Sequence, residues 1–243
     1  MMGNVIKALE QETGKTCFDT EMYFTQEALE RKKRIDAFSS NAIGGVSIQP
    51  CLSGARMHIR LTLGPSPFAH VRMNPHQARY IEIMRTLEIR VLKTYRLGDF
   101  VNDDLNPSDF YVCPSFPLGE VQQRNDDCCN FIENELYAGK HLLDIFLSNY
   151  PGRNIYEKSM CVPDNLNKKF AELVAEMADG QSIAISYAND IDYFCTRDEA
   201  SSAGQASVLS SANREKLVEK YPIRIINLSN LAQKVREDAN RGI

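Results

Sequence analysis

Strict alternation of apolar and polar residues marks two short segments of the chain. Residues 56–63, Arg-Met-His-Ile-Arg-Leu-Thr-Leu, alternate throughout, so a strand here would have one apolar and one polar face. Residues 68–73 alternate again, and a Gly-Pro-Ser-Pro turn separates the two segments. The polar positions of the two predicted strands are occupied by His58, Arg60, His70 and Arg72. The pattern predicts a short β-ribbon whose polar face is basic.

A long helix is predicted directly after the second strand. Asn74 followed by Pro75 is typical of a helix start, because Asn caps free amides and proline fits the first turn. Apolar residues then recur at helical spacing to about Leu97, and Gly98 is expected just beyond the last turn. The apolar stripe is wide, so we expect this helix to be well buried.

The other segments read mainly as helices with a few short strands. The predicted elements are a helix over 26–36, a helix entered at 126–127 and interrupted at Gly139, a helix opened at 163–164 and closed by Gly180, strands over 182–187 and 193–195, a loop over 198–212, a helix over 213–220, a strand over 222–228 and a terminal helix to about Glu237. We expect an α+β fold, in which a mostly helical body carries a short strand–helix module that resembles a ribbon-helix-helix unit. The expected division is 1–50, a polar N-terminal section; 51–98, the basic module; and 99–243, packed with that module as one globular unit.

Charge follows the same division. Between Leu52 and Leu97 there are eight Lys or Arg and two acids, a balance of +6 in a chain whose net charge is −4. Residues 99–150 contain ten acids and two bases, a balance of −8. A basic segment on strands and a helix is the electrostatic footprint of a nucleic-acid reader. The alternative interpretation is that the acidic segment 99–150 neutralises this basic charge.

Several classes of protein are disfavoured by composition. The seven cysteines are odd in number and form no C-x-x-C pair, so neither a disulfide framework nor a zinc site is indicated. No apolar run approaches the ~20 residues of a membrane span, and the N-terminus lacks the apolar stretch of a secretory signal. We expect a cytoplasmic protein with reduced thiols, no cofactor and no membrane partner.

The chain contains three weak catalytic signals. Cys17 with His141 could be written as a cysteine hydrolase, but the flanking signature of such enzymes is missing and an inert thiol is favoured. Asp190 and Asp192 form a D-x-D pair, which we interpret as solvated acids at a strand end. Gly14-Lys15-Thr16 fails as a phosphate-binding loop because Leu9 stands where a glycine is needed. We expect no enzyme.

A basic ribbon has a direct use on DNA. A two-stranded ribbon fits the major groove, where Arg72 could donate two hydrogen bonds to guanine, and the helix start at Asn74 could hold a phosphate. The ribbon could form within one chain, from residues 56–73, or between two protomers. The predicted DNA-binding residues are Arg56, His58, Arg60, His70, Arg72, Asn74 and Arg79, and Lys93 would also neutralise phosphate.

Two segments carry a resemblance to a known family. Residues 124–136, Arg-Asn-Asp-Asp-Cys-Cys-Asn-Phe-Ile-Glu-Asn-Glu-Leu, and the strand–helix at 68–85 resemble AcaB-type transcriptional regulators of conjugative plasmids and integrative elements. The resemblance implies a cytoplasmic, homo-oligomeric activator, a dimer or tetramer, that binds double-stranded promoter DNA through paired strands. His70, Arg72 and Asn74 would be the ribbon and cap positions. The chain departs from that pattern in having no glycine turn after Met73.

Three functions therefore remain open at the level of sequence. The first is a transcriptional regulator, in which residues 99–150 face away from DNA or contact a partner such as RNA polymerase. The second is a non-catalytic interaction or effector module whose basic segment pairs with its own acidic segment. The third is a cysteine hydrolase that uses Cys17.

Overall fold

A computed structural model describes the second half of the chain almost continuously and the first half in short pieces. The residues described are 18–20, 46–53, 56–63, 82–84, 86, 89–92, 116–196, 198, 200 and 204–240. Most of them are helical, and the strands among them form three two-stranded sheets. The coarse expectation of an α+β fold with a mostly helical body is confirmed.

The six described strands form three separate pairs. They are β1 (Phe18–Thr20), β2 (Val46–Ser53), β3 (Arg56–Leu63), β4 (Arg90–Leu92), β5 (Phe194–Cys195) and β6 (Ile225–Ile226). Strands β2 and β3 are antiparallel, whereas β1 pairs with β4 and β5 pairs with β6 in parallel. The predicted strands over 56–63 and 193–195 are thus present, the second as the two residues of β5.

The helical body contains six α-helices within the described residues. They are α1 (Leu118–Asn134), α2 (Lys140–Leu147), α3 (Ile155–Ser159), α4 (Asn167–Ala188), α5 (Ser211–Lys220) and α6 (Leu228–Asn240). Short 3-10 turns cover Asp164–Leu166 and Gly204–Ala206. The predicted break at Gly139, the helix over 213–220 and the terminal helix are confirmed. Helix α1 begins earlier than predicted, at Leu118.

Helix α4 is the centre of the body, because α1 and α2 both pack on it. Its first half contributes Phe170, Val174 and Met177 to a core that includes Leu143 and Leu147 of α2. Its second half joins a core formed with α1, α5 and the segment 208–209. Most of the helix from Phe170 onward is buried, including polar residues such as Gln181 and Ser182, so its sequence shows no single apolar stripe.

The strand predicted over 182–187 is wrong, since these residues form the last turns of α4. Their Ser-Ile-Ala-Ile-Ser pattern alternates, but Ile183 and Ile185 are fully buried in two different cores. The hydroxyl of Ser186 donates to the carbonyl of Ser182 at 2.8 Å, so a serine can be buried here without an unpaired hydroxyl. Residues two apart lie on nearly opposite sides of a helix, and here both sides are buried, so the sequence alternates with a period of two.

Helix α4 also continues through Gly180, where a helix end was predicted. A Cβ on Gly180 would lie 3.5 Å from the Cα of Gly139, in the turn between α1 and α2. That is an ordinary van der Waals distance, so a side chain as small as that of alanine would fit at this position. Gly180 lies inside the helix and does not terminate it.

The Asp190-Ile191-Asp192 segment follows the end of α4. The sequence pattern predicts a strand end at this position. Asp190 has a φ of 57°. Its N–H donates to the carbonyl of Tyr187, and that of Ile191 donates to the carbonyl of Ser186, both at 3.0 Å. This pair of bonds is the Schellman arrangement that satisfies the last carbonyls of a helix. The D-x-D pair therefore belongs to a helix C-terminus.

The long helix predicted over 74–97 is also corrected. Residues 82–84 and 86 are helical, but Arg90–Leu92 form strand β4 and pair with Phe18–Thr20. The N–H of Ile89 donates to the carbonyl of Met84 at 2.9 Å, which closes the helical turn. Ile89 and Val91 are β-branched and suit a strand, so tertiary pairing decides between two structures that the periodicity alone could not separate.

Candidate nucleic-acid interface

Strand β3, which carries the basic alternating pattern, forms an antiparallel ribbon with β2. Strand β2 pairs with β3 over eight consecutive positions, from Val46 opposite Leu63 to Ser53 opposite Arg56. Two residues separate the strands in the sequence, which is the connection length of the tightest hairpins. The ribbon is therefore formed within one chain.

The register brings the alternating patterns of the two strands into phase. At four positions of the ribbon, a polar residue of β3 lies opposite a small or polar residue of β2. At the other four positions, apolar residues lie opposite each other. The pairs of the first set are Ser47–Thr62, Gln49–Arg60, Cys51–His58 and Ser53–Arg56. Those of the second set are Val46–Leu63, Ile48–Leu61, Pro50–Ile59 and Leu52–Met57. Because directly opposed residues share a face of a sheet, the register makes the ribbon amphipathic.

Three of the seven predicted DNA-binding residues lie in this ribbon. Arg56, His58 and Arg60 occupy alternate positions of β3. The other four, His70, Arg72, Asn74 and Arg79, lie outside the described residues, as do the predicted strand 68–73 and Lys93. The structure brings the first three together and leaves the contribution of the other four as a prediction.

The partner of β3 was not anticipated. Sequence reasoning offered 68–73 as the second strand of the ribbon, whereas β3 pairs with β2, which spans the predicted boundary between residues 50 and 51. The signal for β2 was the Ser-Ile-Gln alternation before Pro50. A proline inside a run demotes a predicted strand, since it cannot donate a backbone hydrogen bond. The missed candidate that matters most is Gln49, which lies opposite Arg60.

An apolar contact joins the basic segment to the acidic one. Leu92, in β4, is buried against Val121 of α1 and against Ile185 and Ala188 near the end of α4. Val121, Ile185 and Ala188 have no solvent exposure. The two segments of opposite charge are thus held together at this point by hydrophobic burial, which salt does not screen.

Arg124, in the stretch that carries the family resemblance, is enclosed in the body. Its guanidinium lies 4.6 Å from the ring centre of Phe116 and 4.7 Å from that of Tyr187. It donates to the carbonyl of Tyr187 at 3.0 Å and lies 3.7 Å from the Asp190 carboxylate. Stacked between rings and bonded to the end of α4, this cation fixes α1 against α4.

A row of aromatic rings continues from Arg124 across the body. The rings of Tyr187 and Tyr221 have centres 4.7 Å apart, and Tyr221 contacts Phe131 edge-on at 5.6 Å. Burial raises the pKa of the Tyr221 phenol, so it stays a neutral donor at ordinary pH and bonds the carbonyl of Asp127 at 3.2 Å. Lys220 lies 4.1 Å from the ring centre of Phe131 and closes the row. These contacts hold α5 on α1.

The candidate catalytic residues do not form a site within the described part of the chain. His141 contacts the ring of Tyr137 at 5.3 Å, and Cys17 lies outside the described residues. Over the described ranges, no group of three or more His, Cys, Asp or Glu side chains is arranged to hold a metal ion. In the same part of the chain, no helix has the length and apolar character needed to cross a lipid bilayer.

Comparison with known proteins returns no relative. No protein-family model, no curated protein and no solved structure matches the chain.

Proposed function

We propose that this chain is a DNA-binding regulator of transcription that contacts promoter DNA through the β2–β3 ribbon. The observation that carries the proposal is the register, because it sets polar and basic positions of two strands in phase over the whole ribbon. A two-stranded ribbon has the width to enter the major groove, which is about 12 Å across.

The residues at the centre of the polar set are the types that read bases. Arg60 could bond O6 and N7 of guanine, and Gln49, directly opposite, could bond N6 and N7 of adenine. Residues opposite each other in a ribbon lie about 5 Å apart, so the two would reach neighbouring base pairs. Arg56 and His58 would then contact phosphate or a flanking base.

The charge around the ribbon suits a polyanion. Between Asp36 and Glu82 the chain contains no Asp or Glu, while it contains four arginines and three histidines. A stretch without acids retains its attraction to phosphate instead of neutralising itself. His70, Arg72, Asn74 and Arg79 fall in this stretch and remain proposed contacts. A homo-oligomeric activator from a mobile genetic element is the finer form of the proposal, supported by the resemblance to AcaB-type regulators.

A salt titration tests the electrostatic part. Binding of the purified chain to a labelled duplex of about 25 base pairs is measured by fluorescence anisotropy across a salt series. The log–log slope should be steep and negative. The variant Arg56→Gln should reduce its magnitude by about 0.9, the contribution of one phosphate contact.

The matched control removes a charge from the body. Arg153 has a side chain that is 91% exposed and lies 3.2 Å from the carboxylate of Glu157 on α3. Arg153→Gln should leave the salt slope unchanged. A flat salt response in the unmodified chain, or an equal loss in the control, would contradict the proposal.

Selection from random duplexes tests base reading separately. Arg60→Ala should lose preference for a guanine, and Gln49→Ala should lose preference for an adjacent adenine, each by about 1–3 kcal/mol of discrimination. Both variants should retain most of their binding to unselected DNA. Unchanged preferences in both variants would show that the ribbon does not read sequence.

The interaction-module alternative has one specific observation in its favour. Leu92 of the basic segment packs on Val121 of the acidic segment, so the two segments are in contact within one chain. If charge neutralisation between them were the function of the basic segment, the protein would be a monomer that heparin does not retain. Retention on heparin with elution at high salt favours the DNA-binding proposal.

A further inference from the structure

A buried carboxylate lies where two loops of the body meet helix α4. Glu176 is only 4% exposed, in the middle of the helix. Its Oε1 accepts the backbone N–H of Gly139 at 3.3 Å and that of Val208 at 2.6 Å. One donor precedes α4 in the sequence and lies in the turn between α1 and α2. The other follows α4 and lies in the segment before α5. One oxygen atom is therefore a shared acceptor for two otherwise separate loops.

The second loop is organised around the same carboxylate. The hydroxyl of Ser207 bonds Glu176, and its oxygen accepts the N–H of Leu209 at 3.1 Å. The carbonyl of Ser207 accepts the side-chain amide of Asn213 at 2.9 Å. Because Asn213 lies in the first turn of α5, the contacts of Glu176 extend to the start of that helix.

The first loop has a backbone that must be held in place. Tyr137 has a φ of 54° and Gly139 a φ of 59°. The left-handed region costs a residue with a side chain roughly 1–2 kcal/mol, and Tyr137 is 61% exposed, so burial of its ring contributes little in return. The bond from Gly139 to Glu176 is a fixed point two residues away from this strained position.

We propose that Glu176 is a latch that couples the loops 135–139 and 204–210, so that they open together. Opening either loop withdraws a donor from the shared carboxyl group, which leaves a buried polar group with fewer hydrogen bonds and weakens its hold on the other loop. The inference concerns the helical body and stands independently of the DNA-binding proposal. It identifies the exposed Tyr137 as the surface residue that moves with the segment before α5.

Amide hydrogen exchange of the full chain, resolved at single residues by NMR, tests the latch. Glu176→Ala removes the acceptor and should accelerate exchange at both Gly139 and Val208 by about tenfold or more. Glu176→Gln retains a neutral acceptor at the same place and should change either rate by less than about threefold. Glu172→Ala, one turn earlier on the same helix and partly exposed, is the matched control and should change neither.

A change in one loop should also be felt in the other. Ser207→Ala removes one donor from the side of Val208, and the latch predicts faster exchange at Gly139, in the opposite loop. This variant retains the carboxylate, so it tests the coupling even if Glu176→Ala does not fold. The proposal is overturned if Ser207→Ala leaves Gly139 unchanged, or if exchange at Leu147 in α2 rises by the same factor as at the two loops.

Discussion

Strand β3 and the last turns of α4 both alternate in sequence, and they use that alternation in opposite ways. In β3, alternation separates Arg56, His58 and Arg60 from the apolar positions between them, and the register with β2 continues the separation. In α4, Ile183 and Ile185 enter two different cores, and the serines beside them are buried as well. In these two segments, alternation indicates a strand where the polar positions carry groups that are costly to bury, such as arginine.

The same comparison separates stability from recognition. Many of the large buried side chains of the described residues lie in the helical body, for example Phe170, Leu143 and Ile183. The ribbon contributes a basic sequence without acids. We therefore expect substitutions in the body to change the free energy of unfolding and substitutions at polar ribbon positions to change DNA binding. Each prediction below would break or sharpen this division.

The largest expected effect is in the core between α2 and α4. Phe170 has no solvent exposure and stacks on Phe146 with ring centres 6.1 Å apart. Phe170→Ala should lower the free energy of unfolding by about 3–5 kcal/mol, measured by urea denaturation. Ile145 of α2 is 55% exposed, so Ile145→Ala is the control and should lower the free energy of unfolding by less than about 0.5 kcal/mol. A loss of DNA affinity in Phe170→Ala under conditions where it is folded would contradict the division.

A smaller effect is expected at the turn between α1 and α2. Gly139→Ala should lower the free energy of unfolding by about 1–3 kcal/mol, because its φ is 59° and a Cβ would lie 3.1 Å from Cγ2 of Ile132. Gly119→Ala is the matched control, since nothing lies within 4 Å of its Cβ and the residue is helical. That control should stabilise the chain by up to about 1 kcal/mol. Equal thermal shifts of the same sign for both variants would show that backbone conformation does not decide the effect.

The smallest effect concerns pH. Burial raises the pKa of Glu176 above its ordinary value of 4.5, the charge of Asp198 adds to the rise, and the hydrogen bonds from Val208, Ser207 and Gly139 oppose it. The folded state therefore holds this proton more tightly than the unfolded chain. Its contribution to stability is fully present below pH 4.5 and is lost as the pH rises through the folded pKa.

The Gln variant isolates that contribution. The difference in unfolding free energy between the unmodified chain and Glu176→Gln should fall as the pH rises above about 4.5 and then level off, because all other titrating groups are shared. Urea titrations at a series of pH values measure it. A difference that stays constant or grows with pH would mean that the carboxylate is ionised as readily in the folded chain as in the unfolded one.

Sequence reasoning succeeded where local signals decide the structure. The strand 56–63 was located to the residue by alternation, and the break at Gly139 by a glycine that has a positive φ. It failed where a distant contact decides. Arg90–Leu92 is a strand because Phe18–Thr20 lies beside it, and residues 182–187 are helical because both sides of α4 are buried. Glu176 gave no signal at all, because nothing in the sequence says that two distant amides converge on its carboxylate.

The contact between Leu92 and the end of α4 has a consequence for synthesis of the chain. Leu92 leaves the ribosome well before Ile185 and Ala188, the residues that bury it. At roughly 5–20 residues per second, the 96 residues from Leu92 to Ala188 take about 5–20 s to make. During that interval the nascent chain carries β4 without its apolar cover. Leu92 therefore depends for its full burial on a helix that is translated much later, and a chain released before α4 is made would leave this side chain without that cover.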